Sequence, residues 1–372
     1  MTVIQYHEGG FPPDKLDWDR LVPHIGPANA AVARYDGILS AVPNAAVLLS
    51  PLTTQEAVLS SRIEGTQATM GEVLAFEAEE DQGKLSPDRR DDIHEILNYR
   101  RAMRHAEVML KDLPLCQRIV KKAHSILLDG VRGHGKSPGE YRRIPNWIGP
   151  PGCTIEEARF VPISAEKLPD AMGAWEKYLH ATAPDRLVQL AVIHAEFEAM
   201  HPFLDGNGRL GRMLVPLFLY QTNLISSPMF YISVYLEANR DEYYNRLMYV
   251  SSENDWTGWC IFFLGAICAQ AKDNQQKAKS MLDLYEEMKT TFVDLTHSQY
   301  AIRGLDWMFE RPIFKSSDFV RFSGIPKATV FRMLNLLKKQ AILNEIRPGR
   351  GRTAAILVFS RLLNIAEGHD VF

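Results

Sequence analysis

The run from His201 to Arg212 reads HPFLDGNGRLGR, and its surroundings decide the fold. Upstream, Asp185 is the predicted N-cap of a helix carrying Leu187, Leu190, Ala191, His194 and Phe197 on one face, at the i, i+3, i+4 spacing. Downstream, apolar residues continue at helical spacing. The glycines therefore fall where a loop opens a helix. This helix–loop–helix unit predicts a mainly α protein.

The same twelve residues carry chemistry. Gly206, Asn207 and Gly208 suit a turn whose successive N–H groups point one way, a nest for an anion. The positive end of the following helix adds to that pull on phosphate. Arg209 and Arg212, three apart, project from one face of it. Asp205 supplies a hard oxygen ligand suited to Mg²⁺, and His201 a base that works near neutral pH. A histidine before proline, or a GNG turn, is commonplace alone. Together they form the parts list for nucleotidyl transfer to a hydroxyl, by positioning and charge stabilisation.

Working outward, the first fifty residues are rich in proline and glycine and read as an irregular leader with short helices. A helix is expected over about 53–65, stopped by Gly65. Residues 77–92 read as an exposed charged loop, followed by helices from about Asp91 to Leu110 and Cys116 to Leu128. Asn146–Ile148 and Ala158–Val161 are predicted as strands around a turn at 149–152. Helices resume after Ser164 and run to about Tyr285. From Ser298 the order is three short helices (301–309, 316–322, 327–339), a strand at 341–346, a basic turn at 347–352 and a strand at 354–359. That is the order of a winged helix-turn-helix.

The HPFLDGNGRLGR run resembles the core motif of the Fic family, H-x-F-x-D/E-G-N-G-R-x-x-R, at every specified position. The resemblance implies a protein adenylyltransferase (AMPylator) that uses ATP and Mg²⁺ and moves AMP to Tyr, Thr or Ser hydroxyls of target proteins and of itself. It implies His201 as the base, Asp205 as the Mg²⁺ ligand, and phosphate contacts from Gly206, Asn207, Gly208, Arg209 and Arg212. Phe203 would anchor the loop in the core. Gly139, Glu140, Tyr141 and Arg142 look like the segment before the family's β-hairpin flap, and Trp147–Val161 like the flap that holds the target as an added strand. Tyr243 and Tyr244 resemble the pair lining the adenine pocket.

Many family members carry an inhibitory helix with S/T-x-x-x-E-G/N, matched here by Ser60, Glu64 and Gly65. Glu64 would pair with Arg212, taking the guanidinium that the ATP γ-phosphate needs and repelling that phosphate. Glu64 is also a candidate for orienting a water that removes AMP. The resemblance further suggests a homodimer.

Gly130 to Ser137, GVRGHGKS, matches the P-loop pattern G-x-x-x-x-G-K-S/T but in the wrong setting. It follows a helix rather than a strand and runs into Pro138, which disfavours a helical Ser137. The remaining histidines, His94, His105, His124 and His194 among them, show no metal-ligand spacing and are expected to be solvated or hydrogen-bonded in helices. The four cysteines form no CxxC, which suits a reducing compartment. The most apolar run, Trp259 to Ala269, is about half the ~20 residues a membrane span needs, so a cytoplasmic protein without membrane contact is expected. A net charge of −3 argues against a chain built throughout to coat nucleic acid. Residues 301–372 differ, with twelve Lys and Arg against six Asp and Glu; Arg350 and Arg352 would sit in the wing, and DNA is a candidate partner.

The expected organisation is an N-terminal segment 1–92 with the inhibitory helix, a Fic core 93–270, a linker helix 271–297 and a winged helix 298–372. Two alternatives stand beside AMP transfer. One is a DNA-binding regulator whose Fic domain senses nucleotide without turnover. The other is a Fic enzyme transferring a different phosphate-containing group.

Overall fold

The computed structural model describes residues 3–42, 44–78, 85–132, 135–150, 152–349 and 354–371. Its contacts divide the chain into two units: 1–36, 59–65 and 97–272, then 37–58, 66–96 and 273–372. Both are dominated by helices.

In the first unit, helix α8 (Arg186–Met200) packs on α7 (Leu168–Leu179), α9 (Asn207–Gln221) and α11 (Arg240–Glu253), and α6 (Gln117–Leu127) packs on α9. Asp185 caps α8, its Oδ1 accepting from the N–H groups of Leu187 and Val188, both at 2.9 Å. The expected single apolar face is an understatement. Every α8 residue from Leu187 to Met200 except Glu198 is buried, as for a helix at the centre of a core. The same holds for α9 as far as Leu219, with Pro216 inside it. Asp185→Ala is expected to lower stability by about 1 kcal/mol, read as a shift in the urea midpoint, because two helix N–H groups lose their acceptor. No shift would show that the cap is replaceable by water.

Several sequence expectations fail here. The leader is not irregular: α1 (Trp18–Ala41) runs through Pro23 and Pro27. Ahead of it, β1 (Ile4–Gln5) pairs in parallel with β2 (Phe160–Val161), and Ile4 lies opposite Phe160. The flap is less of a hairpin than expected. Ile148 and Phe160 form one antiparallel bridge, with Ile148 N–H donating to the Phe160 carbonyl at 2.9 Å, and Ile155–Glu157 form a 3₁₀ turn. The neighbour strand of β2 is thus the N-terminal β1.

The second unit contains α2 (Ala45–Leu48), most of α3 (Ser50–Ile63), α4 (Met70–Ala78) and the start of α5 (Pro87–Met109). The charged loop expected over 77–92 is cut short by α5. Proline suits the first helical position, where no N–H is needed, and Asp92 is buried, accepting from Gln67 N–H at 2.8 Å. Residues 79–84 of that loop lie outside the described residues.

After α10 (Ser233–Ala238) and α11, α12 (Trp256–Thr296) runs unbroken for 41 residues. Then come α13 (Ala301–Glu310), β3 (Ile313–Lys315), α14 (Ser316–Phe322), α15 (Lys327–Lys339), β4 (Asn344–Arg347), β5 (Ile356–Val358) and α16 (Ser360–Glu367). The three expected helices and both strands are present; β3 and α16 were not expected. The antiparallel sheet has the order β3-β5-β4. Trp307 meets the Phe314 and Phe319 rings at 4.9 Å each, the core under this sheet. Arg350 and Arg352, expected in a wing, lie outside the described residues. No helix among the described residues is long and apolar enough to cross a membrane.

Candidate active site

Residues 201–206 join α8 to α9, and both ends of this loop adopt left-handed backbone, with φ of 46° at His201 and 77° at Gly206. At Gly206 a side chain would also press on Leu127, its Cβ falling 3.1 Å from Cδ2. Asn207 fixes the loop from inside. Its Oδ1 accepts from Phe203 N–H and its Nδ2 donates to the Phe203 carbonyl, each at 2.8 Å. The Asn207 amide is therefore engaged with the loop backbone rather than aimed at solvent. Phe203 is fully buried and stacks on the His124 ring at 3.8 Å between centroids.

Two further side chains hold this loop. His124 accepts from Gly139 N–H through Nδ1 at 2.7 Å, so Nε2 carries the proton and donates to the Asp205 carbonyl at 3.0 Å. Burial pulls its pKa to about 4, keeping the ring neutral with that tautomer. Arg142 is buried and donates to the carbonyls of His201 at 3.0 Å, Met200 at 3.2 Å, Ile144 and Ile163. Desolvation lowers its pKa to about 10, which leaves it charged at neutral pH. Arg142→Ala would strand several buried carbonyls. It is expected to reduce stability by roughly 3 kcal/mol in a denaturant melt, and a loss under ~1 kcal/mol would show that water takes over its role.

The loop opens on a cavity of about 640 Å³ lined by Glu64, Glu198, His201, Gly208, Arg212, Tyr243 and Tyr244, with Trp147 and Phe160 of the expected flap. His201 faces it with Nδ1 3.3 Å from the Glu198 carbonyl; donating there leaves the Nε2 lone pair available. Burial lowers the His201 pKa to about 4, so the imidazole is neutral at pH 7.

Arg212 is fully buried, donating from Nε to Ser60 Oγ at 2.9 Å and from Nη2 to the Ser60 carbonyl at 2.8 Å and Glu64 Oε1 at 2.7 Å. Burial opposes the charge on Glu64, but Arg212, then Arg209 and His201, outweigh it and hold the carboxyl below its ordinary range. Gly65, with φ 108°, turns the chain just after. The Glu64 carboxylate lies directly over Gly208: a Cβ added there would come 2.2 Å from Glu64 Oε1 and 3.0 Å from Arg212 Nη1. An anion thus already occupies the first turn of α9, where the helix end attracts negative charge.

Arg209, 4% exposed, reaches Asp205 Oδ1 at 3.4 Å, while the Asp205 side chain remains 40% exposed. Among the described residues, no group of three or more His, Cys, Asp and Glu side chains could hold a metal ion, so any cation here would rest on Asp205 and on ligand oxygens. Tyr243 is buried, its hydroxyl 2.9 Å from His194 Nε2, and His194 Nδ1 donates to the Gly211 carbonyl at 3.1 Å. Burial lowers the His194 pKa to about 3, so its neutral ring accepts from the tyrosine. Tyr244 lies beside Tyr243, with ring centroids 5.3 Å apart.

The structure brings His201, Asp205, Gly206, Asn207, Gly208, Arg209 and Arg212 together on this loop and the start of α9, with Glu64, Tyr243 and Tyr244 on the cavity wall. Ser60 reaches the site through its bonds to Arg212, and Gly65 follows Glu64; neither lines the cavity. Sequence reasoning did not single out Glu198, and left Arg142 and His124 without roles. Glu198, three residues before His201, had a signal in its spacing on α8. Burial pushes its carboxyl up to about 7, against Arg212 and with Glu64. The P-loop-like run opens no helix: Gly133 and His134 lie outside the described residues, Ser137 has φ 53°, and a turn follows.

Residues 22–107 match the Fic/DOC family N-terminal model and residues 114–219 match the Fic/DOC family model. The chain carries Fic/DOC family domains. The fold agrees. A Fic family protein from Desulfovibrio desulfuricans aligns with a TM-score of 0.58 at 19% identity, over 93% of this chain and 98% of its own. A Fic-domain signaling protein from Bacteroides thetaiotaomicron aligns at 0.53 and 19% identity, over 69% and 97%. A fragment of Fic-1 from C. elegans aligns at 0.53 and 16% identity, over 71% and 74%. Fic-domain proteins generally transfer nucleotide or other phosphate-containing groups to proteins, and the HPFLDGNGRLGR loop lies within the second match.

Proposed function

We propose that this chain is a protein adenylyltransferase, moving AMP from ATP to a Tyr, Thr or Ser hydroxyl and held back by Glu64. One observation carries the reading: the Glu64 carboxylate sits over Gly208 and on Arg212, as a phosphate group would, beside a neutral His201. With Glu64 displaced, the α9 N–H groups and Arg212 bind the triphosphate, and Tyr243 and Tyr244 flank the base. His201 Nε2 takes the proton of the target hydroxyl. The hydroxyl oxygen bonds to the α-phosphorus, the bond from that phosphorus to the α–β bridging oxygen breaks, and pyrophosphate leaves. The exposed Asp205 carboxylate fits Mg²⁺, an ion that is typically held by one or two carboxylates with phosphate and water, and that would neutralise phosphate charge. The target is proposed to lie along Trp147–Val161, on the side of Trp147 and Ile148, which are exposed and line the cavity; β2 itself already has β1 on one edge and the Ile148 bridge on the other.

The test is labelling with ATP marked at its α-phosphorus, using Glu64→Gly against the unaltered chain. Label retained on protein supports AMP transfer. Label lost while γ-labelled ATP marks protein would assign a phosphoryl group instead.

Residues 298–372 are proposed to be a winged helix. The support is the run α13, β3, α14, α15, β4, β5 with its three-stranded sheet, and α15 would be the helix offered to DNA. Anisotropy with a labelled mixed-sequence duplex tests this, and binding that does not weaken with salt would contradict it.

A further inference from the structure

Glu198 is the one residue of α8 between Leu187 and Met200 that is not buried, and it lines the cavity that holds Glu64, His201 and Arg212. Its Oε1 is screened from solvent and, among the described residues, has no hydrogen-bond partner. A buried carboxylate oxygen without a partner is costly, and such an atom calls for an explanation. Packing alone does not supply one. The carboxylate lies over Gly211, where a Cβ would fall 2.1 Å from Oε1, so α9 gives up a side chain to make room for it.

Its place along α9 narrows its partner. Gly208, under the Glu64 carboxylate, marks the anion position; Gly211 is three residues further, a rise of about 4.5 Å. His194, which donates to the Gly211 carbonyl, also holds the Tyr243 hydroxyl, and Glu198, Tyr243 and Tyr244 line the same cavity. A nucleotide with its phosphates at Gly208 and its base on the tyrosines has its pentose between them. We infer that Glu198 reads the sugar of the bound nucleotide, hydrogen-bonding a ribose hydroxyl and so favouring ribonucleotides over deoxyribonucleotides. This rests on the nucleotide-binding reading above and adds a specificity residue to it. The carboxyl suits either direction of hydrogen bond: ionised it accepts from the hydroxyl, and protonated it also donates.

The experiment is isothermal titration of the Glu64→Gly/His201→Ala chain, in which turnover is expected to be slowed at least about a hundredfold, with ATP, 2′-deoxy-ATP and 3′-deoxy-ATP. At least one deoxy analogue is expected to bind about tenfold more weakly than ATP, the worth of one hydrogen bond to a charged group. Adding Glu198→Ala should bring all three within about twofold, and Glu198→Gln, which keeps an acceptor and the volume, should retain part of the preference. A purely structural role would weaken all three equally. Equal binding of the three in the parent overturns the inference without any Glu198 variant, and so does a preference that survives Glu198→Ala or, where that variant fails to fold, an undiminished preference in Glu198→Gln. Binding without sugar preference leaves nucleotide binding standing; no binding of any of the three removes both readings.

Discussion

Glu64→Gly is expected to transfer AMP about a hundredfold faster than the unaltered chain, measured as initial rates of label incorporation at saturating ATP. The magnitude follows from what the carboxylate holds. It accepts a charge-assisted bond from Arg212 Nη2 at 2.7 Å, and it fills the space over Gly208 at the start of α9. A hydrogen bond between charged groups contributes about 1.5–3 kcal/mol, and an incoming phosphate must break this one and also meet a like charge. About 3 kcal/mol restored to the productive arrangement corresponds to roughly a hundredfold in rate. The sign with pH is fixed by the lowered Glu64 pKa. The pair with Arg212 is fully formed above the ordinary carboxylate range and is lost only as pH falls through the depressed value. The brake therefore operates across the neutral range, and release by mild acidification is not expected. The substitution should also lower thermal stability somewhat, since buried Arg212 loses its ion partner and keeps its bonds to Ser60. Faster transfer from a less stable protein separates a true brake from a general improvement in folding. An unchanged rate would mean that Glu64 pairs with Arg212 without competing with nucleotide.

The sequence carried the parts of this site that depend on neighbours along the chain. From His201 to Arg212, the left-handed turn at Gly206, the helix start at Asn207 and the arginine spacing are all local, and the loop forms as read. Glu64 is different. It lies 148 positions from Arg212, and only the family resemblance joined them. Contacts without such a pattern stayed hidden. Arg142 looks like any surface arginine until four backbone carbonyls surround it, and His124 like any helix histidine until Gly139 and Asp205 fix its tautomer. Two of the misread elements, α1 and the start of α5, share one cause: local signals overridden by packing. Prolines at 23 and 27 argue against a long helix, yet Leu21, Ala28, Ala31, Val32 and Tyr35 bury one face of α1. The charges of residues 88–92 suggest a solvated loop, yet they form the first turns of α5. The flap suffered the reverse error. Alternation around a turn suggests a hairpin, but β2 pairs with β1 over more residues than with the segment across the turn.

In the Glu64→Gly background, adding His201→Ala is expected to reduce AMP transfer by 10²–10⁴-fold while leaving ATP affinity within about twofold. The rate factor is the usual contribution of a positioned general base. Affinity should hold because the groups proposed to grip the nucleotide, Arg212, the start of α9 and the tyrosines, lie elsewhere on the cavity wall. The pH profile distinguishes this role from a packing role. Burial has already lowered the His201 pKa to about 4, and Glu64, which raises it, is absent in this background. The base form is therefore fully populated above about pH 5, and the Glu64→Gly rate should stay flat between pH 6 and 8 where an ordinary histidine would titrate near 6.5. An acid limb centred near 6.5 would place the imidazole in a wetter setting than the structure gives it. With Nδ1 of the neutral ring donating to the Glu198 carbonyl at 3.3 Å, Nε2 has no proton to lose and only one task, to accept one. Should His201→Ala leave transfer intact, the target hydroxyl would have to lose its proton elsewhere. Glu198, raised to about 7 and on the same cavity, would then be the next group to test.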